Sequence, residues 1–357
     1  MRSVNCIVVH HRGSDMLSAS LQSVLASEGV DVAVTVVANN CQEELPGWIE
    51  DHKKVSVVRP DAEMGFSEAN NHAVGWAEQN AGTPDAFFFF NNDAAVDPQT
   101  LALLTDVLFS SPAVGAVGPK ILIWGASDHL NSLGLNVTEF AEAWDEGIGR
   151  LVADVGPTAT EREVLALTGA ALMVRSDAFH QIGGWPEIYR YYMEDIDLCL
   201  RLRSRGWTVV NVAEAVAYHA ISATSDSTAD MKRFYSWRNQ FLVIIIHWPW
   251  RLLVAVVPRL AAVQFGTFLR RLRARAHSDA RLQAKAWWGA FVKFPGALIE
   301  RRRARGRNDW TRFLVPAGTV PVIELPVVVR KPWDKDLEPV DSQPGPSHPV
   351  DRDVEGL

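Results

Sequence analysis

The chain of 357 residues contains only three cysteines, Cys6, Cys41 and Cys199, and they lie far apart in the sequence. So few thiols at such spacing exclude a disulfide framework and a structural zinc site. Cys6 lies in an apolar run typical of a strand, and Cys199 lies on the apolar face of a predicted helix, so we expect both in the core. This cysteine usage is typical of a reducing compartment and predicts a cytoplasmic location.

The sequence also lacks an uninterrupted apolar run of the roughly 20 residues that a membrane-spanning helix needs. Its most apolar stretch begins at Phe241, but a histidine, two arginines and two prolines interrupt it: His247, Pro249, Arg251, Pro258 and Arg259. A signal peptide is not expected either, because the chain enters a predicted strand at Val4.

Acidic residues are scarce in residues 232–312, which contain 18 Lys and Arg but only three Asp and Glu. The rest of the chain holds 17 basic and 39 acidic residues, so the net charge of −7 conceals two regions of opposite sign. Arginine clusters at 270–275 and 301–307 stand close to Trp and Leu, which favours binding to an anionic membrane surface. Residues 241–275 could instead form a buried helical hairpin. A nucleic-acid partner is not expected, because no recognised binding motif accompanies the basic residues.

Apolar runs rich in β-branched residues alternate with helical patterns in the first half of the chain. The predicted strands lie at 4–9, 32–37, 54–58 and 86–90, and the predicted helices lie around 17–25 and at 68–79. Such alternation predicts an α/β fold with a mostly parallel central sheet that is covered on both faces.

Three polar turns directly follow predicted strands, with the sequences HHRG, ANNC and NND. Ligands of parallel sheets bind beyond the carboxyl ends of the strands, where such turns meet. We therefore expect one crevice lined by His10, His11, Asn39, Asn40, Asn91, Asn92 and Asp93.

The second half of the chain is less regular at first. Residues 124–164 are acidic and are predicted to form a loop over the crevice. The elements predicted after this loop are a strand at 166–174, a helix at 193–205, and two closing strands at 207–212 and 215–219. Residues 331–357 are rich in Pro, Asp and Glu, so we predict a disordered tail.

Several of these segments resemble one enzyme family. FFFFNNDAAVD at 87–97 resembles the DxD-type motif of nucleotide-sugar transferases with the GT-A fold, and residues 169–207 resemble the second half of a family-2 glycosyltransferase domain. GFSEANN at 65–71 and the stretch 131–175 are similar to the bacterial rhamnosyltransferase-like group. Each motif alone is weak, but together they occur in one consistent order over about residues 3–240.

The resemblance implies a GT-A, or nucleotide-diphospho-sugar transferase, domain at 1–230. Its nucleotide-sugar-binding half would be 1–120 and its acceptor-binding and catalytic half 121–230, followed by a basic amphipathic helical extension at 231–315. The implied activity is that of an inverting glycosyltransferase of the hexosyltransferase type. The favoured donor is dTDP-rhamnose, and UDP-linked galactose, glucose or N-acetylglucosamine is the alternative. The implied acceptor is a lipid-linked or cell-surface glycan or glycolipid, at the inner face of the plasma membrane.

The resemblance also implies roles for individual residues. Asp93 and His219 would hold a divalent cation, Mg²⁺ or Mn²⁺, that neutralises the leaving diphosphate. Asp195 would be the base that deprotonates the acceptor hydroxyl, and Glu194 would contact the acceptor or orient Asp195. Trp185 resembles an acceptor-site aromatic residue. The residues implied in donor binding are His10, His11, Asn39, Asn40, Gly65, Asn70, Asn71, Asn91, Asn92 and Asp93.

Structural alternatives exist for these assignments. Asn-Asn-Asp after a strand can be a simple turn, and Glu194 and Asp195 can stabilise the positive end of a helix. Ala38 stands where the family commonly has the Asp that binds the nucleobase, so the base that is bound stays open. A nucleotidyltransferase would need a more basic, Gly-rich loop after the first strand. An inactive sugar-nucleotide-binding scaffold would not need Asp93, Asp195 and His219 together.

Overall fold

The computed structural model describes residues 1–156, 159–220 and 226–326. The strands of this part are β1 (Ser3–His10), β2 (Asp31–Ala38), β3 (Val55–Val58), β4 (Ala86–Asn91), β5 (Ala94–Val96), β6 (Val114–Ile123), β7 (Ala126–Ser132), β8 (Leu135–Val137), β9 (Ala143–Asp145), β10 (Glu161–Glu163), β11 (Ala171–Arg175) and β12 (Thr208–His219). The helices are α1 (Ser14–Leu25), α2 (Gly47–Asp51), α3 (Phe66–Ala81), α4 (Thr100–Ser110), α5 (Val152–Val155), α6 (Ser176–Ile182), α7 (Glu194–Ser204), α8 (Asp226–His247), α9 (Trp250–Arg273) and α10 (His277–Arg303), with a 3-10 turn at Asp309–Phe313. The predicted tail at 331–357 lies outside the described residues.

The central sheet has the strand order β10-β12-β6-β11-β4-β1-β2-β3, with β5 paired to β12 and β7 paired to β6. The pairs β1–β2, β1–β4, β2–β3 and β6–β12 are parallel, whereas β11 runs antiparallel between β4 and β6. Because β1, β2 and β4 are parallel neighbours, their carboxyl ends share one edge of the sheet. The predicted convergence of the three polar turns is therefore confirmed.

The apolar strand β4 explains why the sheet is buried on both faces. Side chains alternate across a strand, so Phe87 and Phe89 join the core on one face while Phe88 and Phe90 join the core on the other. All four rings are almost completely buried. A continuous apolar strand of this kind is typical of a parallel sheet with helices on both faces.

Three sequence predictions about individual elements are wrong. The two closing strands are one strand, β12, whose register against β6 shifts between Val212 and Val216. The strand predicted at 166–174 begins only at Ala171, because residues 167–170 turn toward the crevice. Residues 124–164 are not a plain loop, since they contain β7 at the sheet and the small β8–β9 sheet.

The C-terminal helices are not a separate appendage. Helix α8 crosses the predicted boundary at residue 230, because it begins at Asp226 and ends at His247. The buried side chains of its second half join the same hydrophobic core as Phe87 of the sheet and Leu198 of α7. They share that core with Trp310 of the following 3-10 turn. The helical extension is thus confirmed as helical, but its buried side chains complete the core on one face of the sheet.

A buried ionic cluster fastens α7 to these helices. Asp197 of α7 accepts hydrogen bonds from Tyr189 Oη at 2.6 Å and from Nε2 of His247 in α8 at 2.7 Å, and it also pairs with Arg201. Arg201 reaches Glu300 of α10 at 2.9 Å. Burial alone would raise the pKa of Asp197, but the charges of Arg201 and His247 outweigh it and hold that pKa below its usual range.

Helix α9 differs from the prediction of an interrupted apolar segment. It runs for 24 residues without a break through Pro258, and by length and composition alone it could cross a membrane. Only 11% of its most apolar window is buried. Its buried residues, Val256 and Leu260, belong to the main hydrophobic core, so α9 lies on the catalytic region with one face.

Candidate active site

Asp93 and His219 lie together at the carboxyl edge of the sheet. The chain turns at Asn92 and Asp93 and returns as β5, whose residue Ala94 pairs with His219 at the end of β12. This pairing brings His219 Nε2 to 3.2 Å from Asp93 Oδ1. Burial alone would lower the pKa of His219, but the neighbouring Asp93 carboxylate outweighs this and raises it.

Asn131 orients His219 and was not predicted from the sequence. Its Oδ1 atom lies 2.8 Å from His219 Nδ1, so it accepts the Nδ1 proton and leaves Nε2 facing Asp93. Asn131 itself is buried in β7. A histidine that binds a metal commonly has its second ring nitrogen fixed in this way.

The pair of Asp93 and His219 fits a divalent cation that is bound mainly by substrate and water. Among the described residues no group of three or more His, Cys, Asp or Glu side chains could hold a metal ion. Mg²⁺ and similar cations keep several waters and use one or two carboxylates together with substrate phosphates. Two protein ligands beside a diphosphate are therefore sufficient for such a site.

Glu194 and Asp195 begin helix α7, where Glu194 is buried and Asp195 is half-buried. Asp195 accepts hydrogen bonds from the backbone N–H groups of Gly169, at 3.2 Å, and Ile196, at 2.8 Å. Burial raises the pKa of Asp195, although these two N–H groups oppose the shift. Burial, followed by the nearby Asp195, raises the pKa of Glu194 to about 8. At neutral pH Glu194 is thus mostly protonated and is a poor base.

Arg238 and Asn239 of α8 fix the loop that precedes α7. Arg190, Tyr192 and Met193 of this loop have left-handed backbones, with φ of 67°, 65° and 76°. Asn239 Nδ2 donates to the carbonyl oxygens of Tyr191 at 2.7 Å and Tyr192 at 2.8 Å, and both Arg238 and Asn239 donate to Tyr189. This role cannot be predicted from local sequence, because the bonded residues lie almost 50 positions apart.

Several residues predicted to bind the donor instead hold the backbone of the site. Asn39 exchanges two hydrogen bonds of 2.9 Å with the backbone of Met64, and Asn71 does the same with Trp185. Asn70 is buried and bonds the Phe66 carbonyl within α3. The side-chain amides of these residues are therefore used within the protein, and their contact with a donor stays a prediction.

Gly65 and Trp185 also have structural roles. A Cβ atom at Gly65 would lie 3.0 Å from the carbonyl oxygen of Arg190, so a glycine lets α3 approach the loop before α7. Trp185 is only 2% exposed and packs edge-on against Phe66 and Phe89. Trp185 is thus part of the hydrophobic core, and its contact with an acceptor stays a prediction.

The remaining predicted donor residues differ in their access to the crevice. His10 is fully buried, with Nδ1 at 3.0 Å from Asn92 Nδ2, and its contact with the nucleobase stays a prediction. His11 and Asn40 are exposed, and Asn91 and Asn92 are half-buried beside Asp93. His11 and these three asparagines stay candidates for donor binding.

Asp145, at the end of β9, lies in the same crevice but was not predicted as a site residue. Burial raises the pKa of Asp145 to about 6, although the nearby Ser132 hydroxyl lowers it. The charge of Asp195 also raises this pKa, whereas that of His219 lowers it. In the sequence, nothing distinguishes Asp145 from the other acidic residues of this irregular segment.

Comparison with known proteins identifies the family. The family model described as "Glycosyltransferase like family 2" matches residues 3–239. The chain is 28% identical over 235 residues to the O-antigen biosynthesis protein RfbC of Myxococcus xanthus, covering 63% of this chain and 18% of that protein. It is also 28% identical over 233 residues to the N-acetylglucosaminyl-diphospho-decaprenol L-rhamnosyltransferase of Mycobacterium tuberculosis (strain ATCC 25618 / H37Rv), covering 60% of this chain and 74% of that protein.

The fold agrees with this comparison. The crystal structure of GalNAc-T7 with UDP, GalNAc and Mn²⁺ matches with a TM-score of 0.54 at 12% sequence identity, covering 70% of this chain and 49% of that chain. The predicted GT-A fold is therefore confirmed. Since the family model extends over residues 3–239 of 357, the chain belongs to glycosyltransferase family 2.

Proposed function

We propose that this enzyme transfers a hexose-type sugar from a nucleoside-diphosphate sugar to a saccharide hydroxyl, with inversion at the anomeric carbon. The observation that carries the proposal is the contact between Asp93 and His219, 3.2 Å apart at the carboxyl edge of the sheet. Asp145 lies within electrostatic range of both His219 and Asp195, which supports one crevice for the pair and the proposed base. This arrangement allows a diphosphate to bind on one side of a sugar ring and a base to act on the other.

The proposed reaction is a single displacement. The acceptor hydroxyl attacks the anomeric carbon, the bond from that carbon to the diphosphate oxygen breaks, and Asp195 takes the hydroxyl proton. The N–H groups of Gly169 and Ile196 hold the Asp195 carboxylate in position. A divalent cation bound by Asp93 and His219 would supply positive charge to the departing diphosphate. Attack opposite the leaving group inverts the configuration.

For the donor we propose dTDP-rhamnose, with UDP-hexoses as the alternative. The Mycobacterium tuberculosis relative is named as an L-rhamnosyltransferase, and so is WbbL of Escherichia coli (strain K12), which is 24% identical over 241 residues. The first of these names also includes a diphospho-decaprenol acceptor, which supports a lipid-linked saccharide as the acceptor here. The crystal structure of GalNAc-T7 contains UDP and Mn²⁺, in keeping with a UDP-sugar as the alternative donor.

We further propose that α9 and α10 bind an anionic membrane surface at the cytoplasmic side. Each helix has an exposed apolar stripe, formed in α9 by Trp250, Val254, Val257 and Phe265 and in α10 by Trp288, Phe291, Val292, Leu298 and Ile299. Arginines border both stripes. Because α9 buries Val256 and Leu260 in the core and pairs Arg259 with Glu139 at 2.8 Å, we favour a surface position over a crossing.

The test of the catalytic proposal is a panel of nucleotide sugars incubated with the full-length protein and Mg²⁺ or Mn²⁺. We expect slow hydrolysis of one donor, which needs no knowledge of the acceptor, and the released nucleoside diphosphate is measured. Release of pyrophosphate from a nucleoside triphosphate and a sugar phosphate would instead support a nucleotidyltransferase. Binding of a nucleotide sugar without any turnover, in the panel or with lipid-linked acceptors, would support a scaffold.

A further inference from the structure

One oxygen of the Asp145 carboxyl is buried without a partner, although the residue as a whole is half-buried. This Oδ1 atom contacts no hydrogen-bond donor among the described residues. Burying an unpaired carboxyl oxygen costs free energy, so such a group is rarely found in a core without a partner. This burial indicates that Asp145 binds a donor group that the protein itself does not provide.

The position of Asp145 is fixed by the small β8–β9 sheet. Asp145 pairs with Leu135 of β8, and the Leu135 N–H donates to the Ala166 carbonyl oxygen at 2.8 Å. The chain continues from Ala166 to Gly169, whose N–H holds Asp195. Asp145 is thus attached to the same segment that positions the proposed base. A carboxyl group on a rigid strand pair can discriminate between ligands, because it cannot move to bind a ligand of different shape.

Asp145 is not assigned as a third metal ligand, because among the described residues its carboxyl does not form a metal-binding group together with Asp93 and His219. It lies within electrostatic range of both Asp195 and His219. In the proposed reaction the diphosphate lies at Asp93 and His219, and the attacking oxygen lies at Asp195. The ring of the transferred sugar occupies the space between them.

We propose that Asp145 accepts a hydrogen bond from a hydroxyl group on the ring of the donor sugar and so selects which sugar is transferred. The proposal rests on the proposed function, because it needs a nucleotide sugar in this crevice. A hydrogen bond to a carboxylate is about twice as strong as one between neutral groups. Sites that bind a hydroxyl in this way reject analogues that lack it, because the buried acceptor is then left unpaired.

The experiment compares Asp145→Ala with the wild-type protein, using the nucleotide sugar that the wild type hydrolyses. Binding of this donor and of its nucleoside diphosphate alone is measured in Mn²⁺. We expect the variant to bind the donor about 10–100-fold more weakly and the nucleoside diphosphate within two-fold of wild type. Asp128→Ala, which removes an exposed carboxylate from neighbouring β7, is the matched control and should change neither affinity.

Monodeoxy analogues of the donor then identify the contact. The wild type should bind one analogue more weakly than the parent sugar, whereas Asp145→Ala should bind the two equally, because the lost hydroxyl has no partner in that variant. Equal donor affinity in wild type and Asp145→Ala would overturn the proposal, and so would a loss confined to the KM of the acceptor. If the wild type itself binds no nucleotide sugar, the proposed function fails, and this result is distinct from a failure at Asp145.

Discussion

Asp195 is the residue whose replacement separates a catalytic role from a structural one. Asn keeps the size of Asp and can accept a hydrogen bond from one of the two N–H groups, of Gly169 and Ile196, that bond Asp195, but it cannot take a proton at neutral pH. We expect Asp195→Asn to lower sugar transfer by about 10²–10⁴-fold while donor affinity stays near that of wild type. Transfer rate and donor affinity are measured on the same variant.

A matched control exists for the helix position of Asp195. Asp177 lies in the first turn of α6 and is exposed, so Asp177→Asn removes an acid from a helix start outside the crevice. This control should transfer sugar at the wild-type rate. If Asp195→Asn also transferred within a few-fold of wild type, the acid at 195 would only stabilise its helix.

Replacing Asp93 tests the proposed cation site. In Mn²⁺ or Mg²⁺, Asp93→Ala should weaken donor binding, because the cation loses its carboxylate ligand beside His219. With the cation removed by a chelator, wild type and variant should bind the donor equally weakly. A variant that kept full cation-dependent binding and turnover would show that the metal lies elsewhere.

The raised pKa of Glu194 predicts that the stability of the folded protein depends on pH. Its pKa of about 8 in the folded protein lies above the value of about 4.3 for an exposed Glu, so the folded state keeps a proton that the unfolded chain has lost. The free energy of unfolding therefore falls as the pH rises from about 4 to 8. Gln binds no proton, so Glu194→Gln should have a higher Tm than wild type at pH 8 and a similar Tm near pH 4.

Thermal unfolding of Glu194→Gln across this range is the measurement, with Glu214→Gln on the exposed side of β12 as the control. The control should follow wild type at every pH. A difference in Tm between Glu194→Gln and wild type that did not grow with pH would mean that Glu194 is charged in the folded protein.

At the scale of the elements, the loop before α7 depends on Asn239. Asn239→Asp keeps the shape of the side chain but replaces the donating amide with a carboxylate that faces the carbonyl oxygens of Tyr191 and Tyr192. We expect a loss of about 1–3 kcal/mol in the free energy of unfolding and a lower kcat, because the loop carries Glu194 and Asp195. Denaturant unfolding and transfer kinetics check both effects.

Asn80→Asp is the matched control for this loop. Asn80 also donates its amide to a backbone carbonyl, that of Trp76, but on an exposed surface of α3. This change should cost far less stability and leave kcat unchanged. Equal effects of the two variants would show that the loop before α7 does not need the bonds from Asn239.

The local sequence pattern was enough to predict the strands that form the crevice. It was not enough where contacts between residues far apart in the sequence determine the local structure. The strands β1, β2 and β4 were found because their apolar runs are short and end in polar turns. The start of β11 and the continuity of β12 were not predicted, because both depend on distant contacts. The turn at Gly169 before β11 donates a hydrogen bond to Asp195, and the irregular part of β12 donates one to Thr160.

The site shows the same division between local and distant information. Asp93, Asp195 and His219 stand in recognisable motifs, and the structure brings Asp93 and His219 into contact. The amides of Asn39 and Asn71 were assigned to the donor because their partners, 25 and 114 positions away, cannot be read from sequence. Asp145 was missed for the same reason, as its neighbours come from other elements.

At the scale of the whole molecule, the exposed stripe of α10 predicts lipid binding. Trp288 is 66% exposed and Phe291 is 68% exposed, and both lie on one face of the helix. The double change Trp288→Ser and Phe291→Ser should greatly reduce binding to anionic vesicles, and higher salt should weaken the binding of wild type. Vesicle co-sedimentation measures both.

The double variant keeps the core intact, which deletion of residues 241–315 would not, because that segment includes the buried residues of α8. Leu151→Ser, at an exposed apolar position outside the extension, is the control and should bind vesicles as wild type does. Unchanged vesicle binding by the double variant would contradict the membrane proposal for α10.

The cluster around Asp197 sets a limit on how this enzyme can be divided or recombined. Exchanging everything after residue 240 for the extension of a relative would leave Asp197 without His247 and Arg201 without Glu300. Removing one partner of a buried ion pair commonly costs about 3–5 kcal/mol, a large part of the stability of a folded domain. A chimera would therefore have to carry the acids and bases of both sides together. Helices α7, α8 and α10 are in this sense one structural unit, not interchangeable modules.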